Sequence, residues 1–440
     1  MKKSRLDKIL LLPIKHFIQK KTSVGNLLII SAVLAMLVAN SPWSDLYHSF
    51  WKQYVYIGFE EVVIKKNILH WINDGLMSVF FFLVGLELKR EFVHGHLSNP
   101  KDTLLPLSAA LGGMLVPALI FFGINQGTEA ISGWGIPMAT DIAFALGIIY
   151  LLGDKVPIAL KIFLTALAII DDLGAVIVIA FFYTSDLSLS SLALGALFLI
   201  ILLGANKLGI RNTIFYAIFG IGGLWLAVLL SGVHATIAGV LVAFTIPSKK
   251  RIDTRLFLRK ARQLSNKIRK IFRQEEDEDE ISSQIEKFSS LSKEATAPLH
   301  RLENALYPIV NFVILPVFAF ANAGVTISQD ALSNFFSPVA LGVMLGLILG
   351  KTIGIVLFTK LVLIFKISLL PEGVTFKHIF GIGILASIGF TMSIFITELA
   401  FESDLYKTQA KIGILSASVL AGIGGYFYLK YVGKDKETQA

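Results

Sequence analysis

The chain has 440 residues, 55% of them hydrophobic and only 16% charged, with a mean hydropathy of +0.71. That composition excludes an ordinary soluble domain, and the absence of cysteine excludes disulfides and thiolate metal sites. A net charge of +9 invites a nucleic-acid partner, but the basic residues flank apolar runs, which makes them a topology signal rather than a binding face.

In chain order, residues 1–23 read as a basic cytoplasmic leader. Its short "ILLLPI" is followed by more lysines rather than a small-residue cleavage site, so no cleavable signal is read there. Apolar runs near 20 residues follow, the length that crosses about 30 Å of hydrocarbon as a helix. They do not alternate apolar and polar as barrel strands would. The reading is therefore an all-α polytopic membrane protein. Twelve spans are expected, near 24–40, 70–88, 103–123, 133–152, 157–183, 189–204, 213–228, 231–247, 298–322, 338–359, 376–399 and 410–429. Spans one to eight occupy 24–247 and spans nine to twelve occupy 298–430. A charged cytoplasmic insertion fills 248–297, and 431–440 is a cytoplasmic tail.

With both ends cytoplasmic, only Lys52, Lys65, Lys66, Lys407 and Lys411 of the 40 Lys and Arg lie outside, and Lys351 lies inside a span. This positive-inside bias sets the orientation. Between spans one and two, "YVYIGFEEVVIKKNILHW" has strand-like composition and predicts a small outer hairpin. In the insertion, Phe257, Ala261, Leu264, Ile268 and Ile271 recur at helical spacing within a basic segment that an anionic lipid surface suits. The acidic block "EEDEDE" at 275–280 follows, and the plain reading of the whole insertion is a solvated one.

Four interior charges stand out. A carboxylate at mid-bilayer costs on the order of 2.5–3.5 kcal/mol, so function is the default reading. Asp171 and Asp172 sit mid-span in "AIIDDLGAVIVIA". Neighbouring helix positions diverge by about 100°, so one carboxylate can face a cavity while the other reaches a neighbouring helix. Such oxygens suit hard cations, and they also take protons. Asp141 lies in "GWGIPMATDIAFALGIIYLLG", where Pro137 removes a backbone bond and Thr140 and Asp141 suit a helix start. A broken helix is expected there, with a counterpart in "IGILASIGFTMSIFITE". Lys351 lies deep in "LGLILGKTIGIVLF" and is expected either to be partly neutral or to have an acidic partner, Asp171 or Asp141.

At these residues the chain resembles the NhaA family of bacterial sodium/proton antiporters. The resemblance rests on "WINDGLMSVFFFLVGLELKRE", "ATDIAFALG", "AIIDDLGA", "SGVHATIAGV", "LPVFAFANAGV", "GKTIG" and "GFTMSIFI", in that order. It implies twelve helices in inverted-topology repeats near 103–183 and 338–430, with two interrupted helices crossing near the midplane, an arrangement for which this family is itself a known example. It implies electrogenic exchange of cytoplasmic Na⁺ or Li⁺ for external protons across the bacterial inner membrane, with no cofactor, no enzymatic activity and a homodimeric state. Asp171 and Asp172 match the family's ion-binding and proton-exchanging aspartates, with Thr140 beside them as a cation ligand. Thr140, Asp141 and Lys351 match its broken-helix and charge-compensating residues. Glu87, Arg90, Glu91 and Glu303 match a cytoplasmic region associated with pH response and ion access. His234 matches a histidine of structural or regulatory role. The chain departs from the pattern at Asn304 and Tyr307, where familiar members carry histidine, and at Thr352, where proline is common. A sodium-coupled symporter on a related fold is the alternative. An intramembrane aspartyl protease is disfavoured because adjacent helix positions cannot converge on one water.

Overall fold

The computed structural model describes residues 23–59, 62–184, 187–273, 278–326 and 331–437. The expected leader, apart from its last residue, and the first half of the acidic block therefore lie outside the described residues.

The first helices are α1 (Ser23–Ala39) and α2 (Ser44–Lys52), bent by 111° at a short break. Strands β1 (Tyr54–Phe59) and β2 (Val62–Asn67) then pair antiparallel with Ile57 opposite Ile64, which is the expected hairpin. The spans α3 (Ile68–His94) and α4 (Pro100–Asn125) follow. Next come a 3-10 stretch (Glu129–Met138) and α5 (Ile142–Leu151), the two halves of one broken span. The next helices are α6 (Ile158–Phe182), α7 (Leu189–Lys207), α8 (Thr213–Leu229) and α9 (Ala235–Thr245). The insertion forms two helices, α10 (Thr254–Arg273) and α11 (Glu278–Ala295). The chain re-enters as α12 (Pro298–Asn322), then short α13 (Ala331–Phe335) and α14 (Pro338–Ile364). A second broken span, α15 (Phe376–Ala386) and α16 (Phe390–Ala400), bends by 47°. The last helix, α17 (Asp404–Glu437), runs on through most of the expected tail.

By length and composition, eight of the described helices can cross a membrane, ten if each bent pair is one span, and α8 and α9 are shorter apolar helices. The outer surface fits that role. Leu119, Phe181, Ile200 and Ile218 are each more than 60% exposed on helices whose other faces are packed. Apolar side chains around a perimeter with internally bonded backbone are what lipid tolerates.

The main core gathers around Phe81, Phe318 and Phe395, and a second, smaller core joins α3 to α7, α8 and α9. Small residues set the closest crossings. A Cβ at Gly354 of α14 would collide with the Gly112 carbonyl of α4, and one at Gly112 would meet the Gly354 carbonyl. Gly239 of α9 likewise sits on the Ser78 carbonyl of α3. Among the described residues, four wide π-helical turns interrupt the spans, at Trp71–Leu76, Ile218–Trp225, Val310–Ile314 and Gly346–Lys351. The last of these ends on the buried lysine.

Candidate functional site

The two broken spans meet back to back. The Asp141 N–H donates to the Ile388 carbonyl over 2.6 Å, joining the two breaks directly. A break at this depth leaves carbonyls at the end of one half and N–H groups at the start of the next, and all of them need partners. Asp141 serves both helix starts. Its Oδ1 accepts from Phe144 N in the first turn of α5 at 3.0 Å, and its Oδ2 accepts from Thr391 N of α16 at 3.1 Å and from Thr391 Oγ1 at 2.6 Å. One anion thus faces two positive dipole ends.

The freed carbonyls have matching donors. Lys351 Nζ donates to the Met138 carbonyl, Thr140 Oγ1 to the Ala386 carbonyl at 3.0 Å, and Ser393 Oγ to the Ile136 carbonyl at 2.8 Å. The cation at the first break therefore compensates a helix C-terminal end, opposite in sign to Asp141.

On α6, Asp171 turns toward this crossing. Its Oδ2 accepts from Lys351 Nζ at 2.5 Å and from Thr140 Oγ1 at 2.7 Å, and neither Asp171 nor Lys351 has an exposed side chain. Of the two partners left open for the lysine, Asp171 makes the ion pair. Asp172, one position on, is equally buried, yet neither of its carboxylate oxygens has a hydrogen-bond partner. It lines a cavity of about 280 Å³ together with Asp141 and Thr391, and the wall continues past Tyr150 to Glu87, Arg90 and Glu303.

Those last residues form a second charged group. Arg90 donates to Glu303 of α12 and, over 2.9 Å, to Glu91. His300 Nδ1 lies 3.6 Å from Glu303. Asn304 and Tyr307 follow on the same helix, and Tyr307 also lines the cavity.

His234 stands apart from both groups. Its Nε2 meets the Tyr183 carbonyl at 2.7 Å, and the Tyr183 hydroxyl donates to the Ser132 carbonyl at 2.8 Å and accepts from Gly135 N at 3.2 Å. The imidazole thereby ties α9 through the end of α6 to the 3-10 stretch. Thr352 takes no proline-like role either, since its hydroxyl pairs with Ser387 at 3.2 Å beside the second break.

The structure thus brings Thr140, Asp141, Asp171 and Lys351 into one network, opens Asp172 into the cavity, places Glu87, Arg90 and Glu303 at the cavity's other end with Glu91 paired to Arg90 outside its wall, and leaves His234 outside. Among the described residues, no three His, Asp or Glu side chains converge as a preformed metal cluster. Sequence reasoning did not assign Thr391 a site role, although its place at the start of the second half was the available signal. Tyr150 and Asn311 of the cavity wall carried no signal at all.

The comparisons with known proteins agree with the motifs. The model of the family described as "Na+/H+ antiporter 1" matches residues 15–429. The chain belongs to the NhaA family of Na⁺/H⁺ antiporters. It is 48% identical to the Na(+)/H(+) antiporter NhaA of Oleidesulfovibrio alaskensis, over 99% of this chain and 97% of that one. It is 46% identical to Na(+)/H(+) antiporter NhaA 1 of Psychromonas ingrahamii, over 92% and 93%, and 43% identical to the Na(+)/H(+) antiporter NhaA of Shewanella pealeana, over 97% and 99%. Membership of the NhaA family extends across both broken spans and the 248–297 insertion.

Proposed function

We propose that the chain is a secondary Na⁺(Li⁺)/H⁺ antiporter of the bacterial cytoplasmic membrane, with both termini inside, that extrudes cytoplasmic cation in exchange for external protons. The observation that carries the reading is the Asp172 carboxylate, buried without a partner in a cavity and one helix position from a carboxylate held by a lysine. A carboxylate so placed is satisfied either by a proton or by a hard cation. A cation reaching Asp172 and Asp171 takes up the oxygens that a proton and the Lys351 ammonium otherwise satisfy. The site therefore holds protons or a cation, not both, and Thr140 offers a further oxygen.

Electrogenic exchange needs more exchangeable protons than cation charges, and Asp171, Asp172 and Lys351 together supply them. Access alternates by rocking of the repeat units about the crossing. The charged group Glu87, Arg90, Glu91 and Glu303 is the cytoplasmic mouth, where transport responds to pH. The outer hairpin is a surface for pairing two copies.

The test is ΔpH dissipation in everted membrane vesicles on addition of NaCl or LiCl, with wild type beside Asp172→Asn. A wild-type response that the variant lacks supports exchange at the pair. Full sodium-dependent proton movement in the variant would sink the assignment.

A further inference from the structure

The pair α10–α11 takes no part in the exchange just described. α10 carries eight Arg and Lys residues and no acid. Its stripe of Phe257, Ala261, Leu264, Ile268 and Ile271 is the sheltered face, and Ile271 is fully buried. α10 packs along α11, where Gln284 and Leu291 are buried in turn.

Three large apolar side chains of α10 are exposed, and Leu256, at 38%, is the least so and lies on the opposite flank from the other two. Leu258 is 61% exposed and Phe272 is 73% exposed. At about 100° per residue they fall on one flank, and exposed Arg262 and Arg269 fall beside them within an arc of about 80°. This flank lies about 100° from the face that meets α11. Two helices lying side by side on a plane present just such a flank to the plane.

The pair is also short-tethered. α9 ends at Thr245, and α12 begins at Pro298, with only two residues between it and the end of α11. The two tethers are tied together by Leu299 N to the Pro247 carbonyl at 3.2 Å, by Arg251 N to the Glu294 carbonyl at 3.0 Å, and by the Arg251–Glu294 ion pair at 2.9 Å. α10 is thereby held next to the ends of two membrane helices.

We propose that the Leu258–Arg262–Arg269–Phe272 flank of α10 is a docking surface for the anionic phospholipid headgroups of the adjacent leaflet. Apolar tips enter the boundary between headgroups and acyl chains, and the arginine heads meet phosphate. A soluble polyanion would match the charge but would leave Leu258 and Phe272 in water. α11 carries acids such as Asp279 and Glu286 and only two lysines, so the attraction for phosphate comes chiefly from α10.

The chain has no cysteine, so single labels need no background removal. Full-length Leu258→Cys, Phe272→Cys and, on the far flank, Gln263→Cys carry a nitroxide in nanodiscs of neutral lipid and of neutral lipid with phosphatidylglycerol. In the anionic discs, labels at 258 and 272 are expected to collide more with oxygen than with a nickel chelate, and the label at 263 the reverse. That inversion is expected to vanish in neutral discs, in high salt, and on Arg262→Gln/Arg269→Gln. Nickel-accessible labels at 258 and 272 in anionic discs overturn the proposal. So does shielding from both reagents, the mark of a protein partner, and so does the same oxygen excess in both lipids. The lipid comparison stands without the charge variant.

Discussion

The Thr391 hydroxyl donates to Asp141 Oδ2 over 2.6 Å, and the Thr391 backbone N–H donates to the same oxygen over 3.1 Å. With Phe144 N on Oδ1, a single carboxylate caps the second half of both broken spans. Removing it orphans N–H donors at two helix starts inside the core. Asp141→Ala is expected to lower stability by roughly 2–4 kcal/mol, with two caps at about 1 kcal/mol each plus the unpaired donors. Thermal unfolding of the purified protein in detergent checks this, and a melting temperature equal to wild type would count against the double-cap role.

Asp172 is the opposite case. Its oxygens have no hydrogen-bond partner, so Asp172→Asn breaks no bond and removes a carboxyl that can take up a proton or a cation. The expected outcome is complete loss of sodium-driven proton movement with a melting temperature equal to or above that of wild type. A large fall in melting temperature would mean that the carboxylate has a structural partner.

The Lys351–Asp171 pair tests how charge is balanced at the crossing. Breaking a buried pair from one side leaves an uncompensated charge, at a cost of about 3–5 kcal/mol. Lys351→Met should therefore be strongly destabilised. Adding Asp171→Asn should restore most of the loss, because the orphaned charge goes with it. A double variant no more stable than the single one would show that the lysine acts chiefly through the Met138 carbonyl.

The crossing of α4 and α14 tolerates no side chain at its contact point. Gly354→Ala would place a methyl group against the Gly112 backbone carbonyl, and backbone cannot rotate away. Overpacking of this kind costs about 1–3 kcal/mol, occasionally more. Gly123→Ala, at a position with open space around it, is the matched control and should be neutral or nearly so. The comparison is again of melting temperatures in detergent.

Much of this arrangement could be read from the chain alone, because its signals are local. A span needs only a long apolar run. The first break needed only Pro137 and the Thr140–Asp141 pair after it. The divergence of Asp171 and Asp172 follows from helix geometry. What stayed hidden is long-range. Nothing in "LGLILGKTIGIVLF" tells whether Lys351 reaches Asp171 or Asp141, since that depends on how α14 crosses α6. Thr391 is capped by a carboxylate 250 residues away in the chain. In the insertion, the apolar stripe of α10 is spaced as a lipid face would be, yet α11 covers it, and the residues left for lipid sit on the flank instead. The acids and serines of α11 gave little sign that it would pack there.

The π-helical turn Gly346–Lys351 gives the position of the buried ammonium a different kind of origin. A π turn carries its hydrogen bond one residue further than an α turn, so it stores one surplus residue in the span. Removing a single residue from this turn would let the helix relax to ordinary winding and swing the lysine around the axis by about 100°. The charge pair thus depends on chain length as well as on residue identity, and a one-residue deletion among aliphatic side chains would dismantle it while leaving every charged group in the sequence.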